Sequence, residues 1–194
     1  MVRGIIFDLD GTLVRLPVDW RLVVDGLSKM LNRRVVSLVK LYPLIWGSPR
    51  YEVVSRYIES YELKAIDNLL ILDDSPNILM KLHSKYKLGL VTFQGLNVVE
   101  RILEKLNLSY LFEGISTRDD APTREEQISQ VISSFNLKAS DILVVGDRLN
   151  DVFSASKLGC KAVLIDRYGR KLDDSMLKIF YVIYTLEELF ELLN

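Results

Sequence analysis

Residues 4–13, Gly-Ile-Ile-Phe-Asp-Leu-Asp-Gly-Thr-Leu, constrain this chain more than any other stretch. Ile5, Ile6 and Phe7 form a short apolar run preceded by a glycine, which reads as a buried strand. In an extended chain residues i and i+2 share a face, so Asp8 and Asp10 should emerge together at the strand's carboxyl end, where open α/β sheets bind ligands. Gly11 lets the backbone turn sharply, and Thr12 offers a hydroxyl beside the two carboxylates. Alone, the run also fits a polar strand end entering a turn, because Asp and Gly both suit turns. A second stretch shifts the balance. Ile142 to Val145 leads into Gly-Asp-Arg-Leu-Asn-Asp at 146–151, again an apolar strand ending in an acid, Asp147, with Asp151 close behind. Two such strands, one near each end of a domain, make a constellation suited to metal and phosphate.

Between and around these strands the periodicity alternates. After a connector at 13–17, Asp19 is a plausible cap for a helix with Leu22, Val23, Leu27, Met30 and Leu31 at helical spacing. An apolar segment from Val35 to Tyr42 is interrupted at Pro43, and Gly47-Ser48-Pro49 makes a break. A third helix carries Tyr51, Val54, Tyr57, Ile58 and Tyr61 on one face. No strand is expected from 18 to 72, so about fifty residues of helix interrupt the sheet, a long crossover. Ser75, followed by Pro76, is expected to cap a helix reaching about Tyr86. Strands are expected at 88–92, 114–117, 142–145 and 162–165, with helices at 97–106, 123–135 and 151–158, and a last one at 185–193 capped by Thr185. Alternating β and α with short links predicts an α/β fold, a doubly wound parallel sheet with a small inserted helical unit.

Composition narrows the function classes. The chain has 194 residues, enough for one sizeable domain with a small insertion. With 49% hydrophobic and 26% charged residues the balance is that of a soluble globular protein. A net charge of −1 and no basic run leave no footprint for nucleic acid. The single cysteine, Cys160, excludes an internal disulfide, fits a reducing compartment and is expected to be packed. The chain opens on its first strand, so no signal peptide is expected, and the apolar stretch 179–186 is too short to span a bilayer. A cytoplasmic protein with no membrane association is expected, as a monomer or homodimer.

The pattern FDLDGTL at 7–13, with VVGDRLND at 144–151, resembles the haloacid dehalogenase (HAD) superfamily in its phosphatase branch, nearest to phosphoglycolate-phosphatase-like enzymes. The resemblance covers almost the whole chain. It implies a Rossmann-like core at 1–16 and 73–194 and a helical cap at 17–72 that closes over the site. It implies a phosphatase acting on a small phosphorylated metabolite. Asp8 would be the nucleophile, forming an aspartyl-phosphate, and Asp10 the general acid and base. A dianionic phosphate cannot approach clustered carboxylates without a cation, and all-oxygen ligands suit Mg²⁺. The family pattern puts Asp8, Asp10 through its main-chain carbonyl, and Asp147 on the metal, with Asp151 as the outer acid. A helix N-terminal acid favoured by the macrodipole is the other reading of Asp151.

Thr92 matches the family's phosphoryl-binding Ser or Thr, although a β-branched residue there also suits strand packing. Phe93 follows where the family often has Asn, leaving only its main chain for phosphate. The family's lysine before the last acidic motif has no counterpart: Lys105 lies in a helix and Lys138 in the wrong loop. Arg124, at a helix start, is the expected replacement and Arg118 the second choice; arginine can fork onto phosphate oxygens, though a surface ion pair is the alternative. The candidate substrate contacts are Gly11, Thr12, Gly95 and Arg50, with Trp20, Trp46, Tyr51 and Arg56 as further cap residues able to grip. His83, the only histidine, is expected to be structural or exposed. A phosphosugar mutase would share all these residues. A receiver-type signalling domain would lack the insertion and Asp10, and a non-catalytic phospho-ligand-binding protein would keep only the fold. A dehalogenase is disfavoured because that branch lacks the second aspartate.

Overall fold

In a computed structural model, which describes residues 1–193, the chain folds around six parallel strands. They are β1 (Gly4–Asp8), β4 (Lys87–Val91), β5 (Phe112–Ser116), β6 (Ile142–Gly146), β7 (Lys161–Ile165) and β8 (Tyr181–Ile183), in the spatial order β5-β4-β1-β6-β7-β8. A two-stranded ribbon, β2 (Val14–Arg15) with β3 (Leu70–Ile71), stands apart from this sheet. The doubly wound α/β architecture expected from the alternation is the one observed.

Period-two alternation along β1 explains how both faces are covered. Ile5 and Phe7 point into one apolar cluster, with Leu79 of α4 (Ser75–His83) and Val99 and Ile102 of α5 (Leu96–Leu106). Ile6 points to the other, with Ile128 and Val131 of α6 (Arg124–Phe135) and Val152 of α7 (Leu149–Lys157). A strand with helices on both faces must be apolar on both, and all five residues of β1 are buried. A third cluster is drawn from the insertion itself: Val23 and Leu27 of α1 (Trp20–Met30), Leu41, Tyr42 and Ile45 of α2 (Leu38–Ile45), and Val54 and Ile58 of α3 (Pro49–Ala65).

Several expectations need correction. Helix α2 runs through Pro43, where the sequence suggested a break. Proline costs a helix interior roughly 3 kcal/mol, but Pro43 faces solvent while Leu41, Tyr42 and Ile45 on either side are buried. Leu22 and Met30 lie exposed, so only Val23 and Leu27 form the buried stripe of α1. The segment 18–72 does contain a strand, β3; two exposed residues carry no readable period. Ser75 is the first helical residue of α4 rather than its cap, which is Asp74 in a left-handed conformation. The Ser75 hydroxyl instead donates to the Leu13 carbonyl at 2.7 Å, tying the two ends of the insertion together. That helix ends at His83, because Lys85 and Tyr86 both turn their amides to the Leu82 carbonyl. Helix α7 begins at Leu149 rather than Asp151. The last segment opens as a 3-10 turn, Leu186–Glu188, before α8 (Leu189–Leu193), with Glu188 accepting from the Thr185 amide. The edge strand β8 was not foreseen. Its three residues run from exposed Tyr181 through half-buried Val182 to buried Ile183, too short a stretch to show a period.

Candidate active site

Three adjacent strands end at one place. Asp8 closes β1, Thr92 follows β4, and Asp147 follows β6. This is the carboxyl edge of the sheet, where the strands stop and loops can present side chains. Beyond β1 the chain folds back on itself: the Gly11 amide donates to Val14 O at 2.7 Å, and the Leu16 amide donates to the Asp10 carboxylate at 2.8 Å. Gly11 takes φ 95°, and a Cβ there would stand 2.5 Å from Asp147 Oδ2, so position 11 needs glycine for both conformation and room. Gly146 is equally tight, since its Cβ would meet Asp151 Oδ2 at 2.3 Å.

Oxygens of Asp8, Asp147 and Asp151 lie within 4.8 Å of one another. Asp151 sits in the first turn of α7 and accepts from the Arg148 amide at 3.1 Å, a favourable place for an acid at a helix start. Asp147 Oδ1 and Asp151 Oδ1 are buried and have no hydrogen-bond partner. Burial raises the Asp8 carboxyl well above its ordinary value; Arg124 pulls it back, and Asp151 and Asp147 push it further up. Asp147 is pushed up to about 6, by burial first and Asp151 second. Burial also raises Asp10, against the pull of the Leu16 amide and of Arg148. Three crowded carboxylates with orphaned oxygens are what a hard divalent cation would relieve, so this oxygen set fits Mg²⁺.

Arg124 supplies the positive charge. It is buried at the start of α6, whose cap is Thr123, and its Nη2 donates to Asp8 Oδ1 at 2.8 Å. Its Nε lies 2.9 Å from Asp151 Oδ1 as an ion pair without hydrogen-bond alignment. Its Nη1 donates to Gln127 Oε1 at 3.0 Å, and the guanidinium lies 4.7 Å over the Phe93 ring. Gln127 in turn donates to the Thr92 carbonyl at 2.8 Å. Arg148 stands at the rim; burial works against its charge, but Asp8, Asp147, Asp151 and Asp10 together hold its proton more firmly. A cavity of about 350 Å³ opens over Asp8, Asp10, Thr92 and Arg124 and is roofed by α1 and α2.

The structure thus brings Asp8, Asp10, Asp147, Asp151, Thr92 and Arg124 together, and separates other candidates from them. Thr12 is wholly buried, its hydroxyl donating to Asp8 Oδ2 at 3.4 Å, so it braces the carboxylate and, like Gly11, does not line the cavity. Gly95 caps α5, with the Arg118 guanidinium packed where a side chain would be. Arg50 lines a separate surface hollow with Met30 and Arg33, and Arg56 is exposed beside Glu52. Neither reaches the cavity, because both lie on the outward side of α3. Trp46 packs edge-on against Tyr51, whose hydroxyl donates to the Arg118 carbonyl. Of the proposed gripping residues only Trp20 lines the cavity. Arg118 is buried in a salt bridge to Glu62 at 2.8 Å and does not line it. His83 is exposed and Cys160 buried, its thiol pushed up to about 11 by burial.

Sequence reasoning missed Gln127, Gln94 and the Phe93 ring. Gln127 was findable, standing three residues after Arg124 on one helix face. Gln94 takes the Thr92 hydroxyl as donor and returns its own amide to Thr92 Oγ1 at 3.2 Å, a loop contact no period announces.

A model of the haloacid dehalogenase-like hydrolase family matches residues 36–165, more than half of the chain. The chain belongs to that family. This HAD-like hydrolase is 25% identical over 185 residues to a phosphoglycolate phosphatase of Pectobacterium atrosepticum, covering 84% of this chain and 79% of that one. It is 27% identical over 204 residues to a phosphoglycolate phosphatase of Aliivibrio fischeri, covering 90% and 89%. Its fold is similar to that of a HAD phosphatase from Thermococcus onnurineus, with a TM-score of 0.73, 24% identity and coverage of 100% and 98%. Among the described residues no helix is long and apolar enough to cross a membrane.

Proposed function

We propose that this HAD-like hydrolase is a Mg²⁺-dependent phosphatase that cleaves a small phosphate monoester through an aspartyl-phosphate on Asp8. The observation that carries the reading is the Asp8 carboxylate held by Arg124 at 2.8 Å, with Asp10 beside it in the same cavity. Asp8 attacks phosphorus as the bond to the leaving oxygen breaks, and Asp10 donates its proton to that oxygen. Asp10, now a base, takes a proton from the water that attacks the acyl phosphate, releasing inorganic phosphate and regenerating both acids. The burial that raises Asp10 suits a group that must begin protonated. Arg124 holds the phosphoryl oxygens, joined by Thr92 when its hydroxyl proton turns from Gln94 to them, while Gln127 and Phe93 keep the guanidinium in place. Asp8, the Asp10 main-chain carbonyl and Asp147 would hold the metal, with Asp151 orienting the group from outside. When bound, Mg²⁺ would cancel charge on the phosphoryl oxygens. Residues 17–72 would act as a cap over a core of 1–16 and 73–194; the β2–β3 ribbon pairs the two ends of the insertion.

The test is hydrolysis of p-nitrophenyl phosphate with Mg²⁺ and with EDTA. Activity is expected only with the metal; equal rates in EDTA would end the metal-dependent reading. Mg²⁺ should also raise the thermal midpoint, stabilising the protein by about 2.7 kcal/mol at a hundred times its dissociation constant. Asp10→Asn should slow turnover by at least about 10²-fold while acid-quenched protein retains label from a reactive phosphate donor. Absence of label on Asp10→Asn would remove that role.

A further inference from the structure

The floor and roof of the cavity differ in chemistry. The floor holds carboxylates, Arg124 and Arg148; the roof is Trp20 and Val24 of α1, Val36, and Leu38, Val39 and Tyr42 of α2. Among the described lining residues the insertion contributes no charged side chain; its polar groups are the Ser37 hydroxyl, which accepts from the Lys40 amide at 3.4 Å, the Tyr42 hydroxyl and the Trp20 indole N–H. Phe93 stacks on Tyr42 with ring centroids 5.8 Å apart and planes 16° apart, carrying the apolar wall down to Arg124.

We propose that the leaving group of the substrate is an apolar, aryl or branched alkyl alcohol without an anionic tail. This rests on the phosphatase reading above and narrows its substrate class. The phosphoryl group meets the floor, so whatever it is esterified to must face the roof. Among the described residues lining the cavity the only cations are Arg124 and Arg148. Arg124 is engaged by Asp8 and Asp151, and Arg148 lies on the floor with its Nε 3.9 Å from Asp147 Oδ1. A carboxylate on the leaving group, as in phosphoglycolate, would face Val24, Leu38 and Tyr42, with no cation among the described roof residues to pair it. An apolar body gains by leaving water there, and a flat ring gains further by packing against Trp20 and the Tyr42–Phe93 stack.

Binding separates this inference from the catalytic one. Two phosphonates that differ only beyond a shared CH₂–PO₃ unit, benzylphosphonate and phosphonoacetate, are titrated into the full chain with Mg²⁺ by calorimetry. Benzylphosphonate should bind at least ~10-fold more tightly, in line with pocket discrimination for apolar groups. Equal or tighter binding of phosphonoacetate overturns the inference while leaving the phosphatase reading intact. Trp20→Ala, at a half-buried helix start, should narrow the ratio by weakening benzylphosphonate more; an unchanged ratio also overturns it. If neither phosphonate nor inorganic phosphate binds, the phosphatase reading fails and this inference with it.

Discussion

Asp8→Asn should lower the turnover number by roughly 10⁴–10⁶-fold, the loss typical of removing a nucleophile that acts with its partners as a unit. The substitution keeps shape and one oxygen, which can still accept from Arg124 Nη2, while its NH₂ takes the place of Oδ2 and donates to the Thr12 hydroxyl, reversing that bond. What it removes is the charge that attacks phosphorus. Its effect on folding should be opposite in sign. Burial, with Asp151 and Asp147 adding to it, raises the Asp8 carboxyl despite the pull of Arg124, so a neutral amide is favoured in the metal-free protein, and Arg124 keeps Asp151 as its charged partner. The expected pair of results is therefore lost phosphate release with an unchanged or higher thermal midpoint in EDTA. Retained activity in a pure preparation would remove Asp8 as nucleophile. Lost activity with a collapsed midpoint would mean that Asp8 holds the fold.

The position of this acid was legible because strand physics is local. Two residues of period put Asp8 and Asp10 at one end of β1, and an apolar run at 142–145 predicted a neighbouring strand delivering Asp147. Arg124 was legible for a different reason: an arginine at a helix start near a missing lysine is a charge in the right loop. The contacts made across the fold were not legible. Arg50 was named as a gripping residue from its place in the insertion, but which side of α3 faces the cavity depends on how the helices pack. Gly95 lies beside the right strand, yet Arg118 fills the space above it. Glu62 left a signal that went unread. It follows Val54 and Ile58 at four-residue steps, on the buried stripe of α3, where an acid demands a partner. The partner, Arg118, lies 56 residues away, and no pattern in either segment names the other.

That pair joins the insertion to the sheet, and breaking it should have the largest effect on stability. Both side chains are 1% exposed; Arg118 Nη1 reaches both Glu62 oxygens at 2.8 Å and the Phe93 carbonyl at 3.0 Å, and Nε donates to Ser55 Oγ. Arg118→Met strands the fully buried Glu62 without a charged partner and should cost about 3–5 kcal/mol near pH 8. The cost must depend on pH, with a definite sign. Burial already raises the Glu62 carboxyl from 4.5 to about 7, with Asp10 adding to the rise and Arg118 and the Gly95 amide opposing it. Without Arg118 it rises further. A carboxyl with a raised folded-state value contributes stability fully present below its unfolded value and lost as pH rises through the folded one. Arg118→Met should therefore be mild near pH 5, where Glu62 holds its proton, and severe near pH 8. Adding Glu62→Leu should recover most of the loss at pH 8, because two apolar residues replace the pair without leaving a charge. Urea denaturation of the wild type, both single variants and the double variant at the two pH values measures the cycle. A penalty from Arg118→Met that is equal at pH 5 and pH 8 would show that packing of the long side chain, rather than its charge, ties α3 to the sheet. The geometry favours charge: the guanidinium spends its donors on Glu62, Ser55 and the Phe93 carbonyl, and Phe93 is the ring on which Arg124 rests above Asp8.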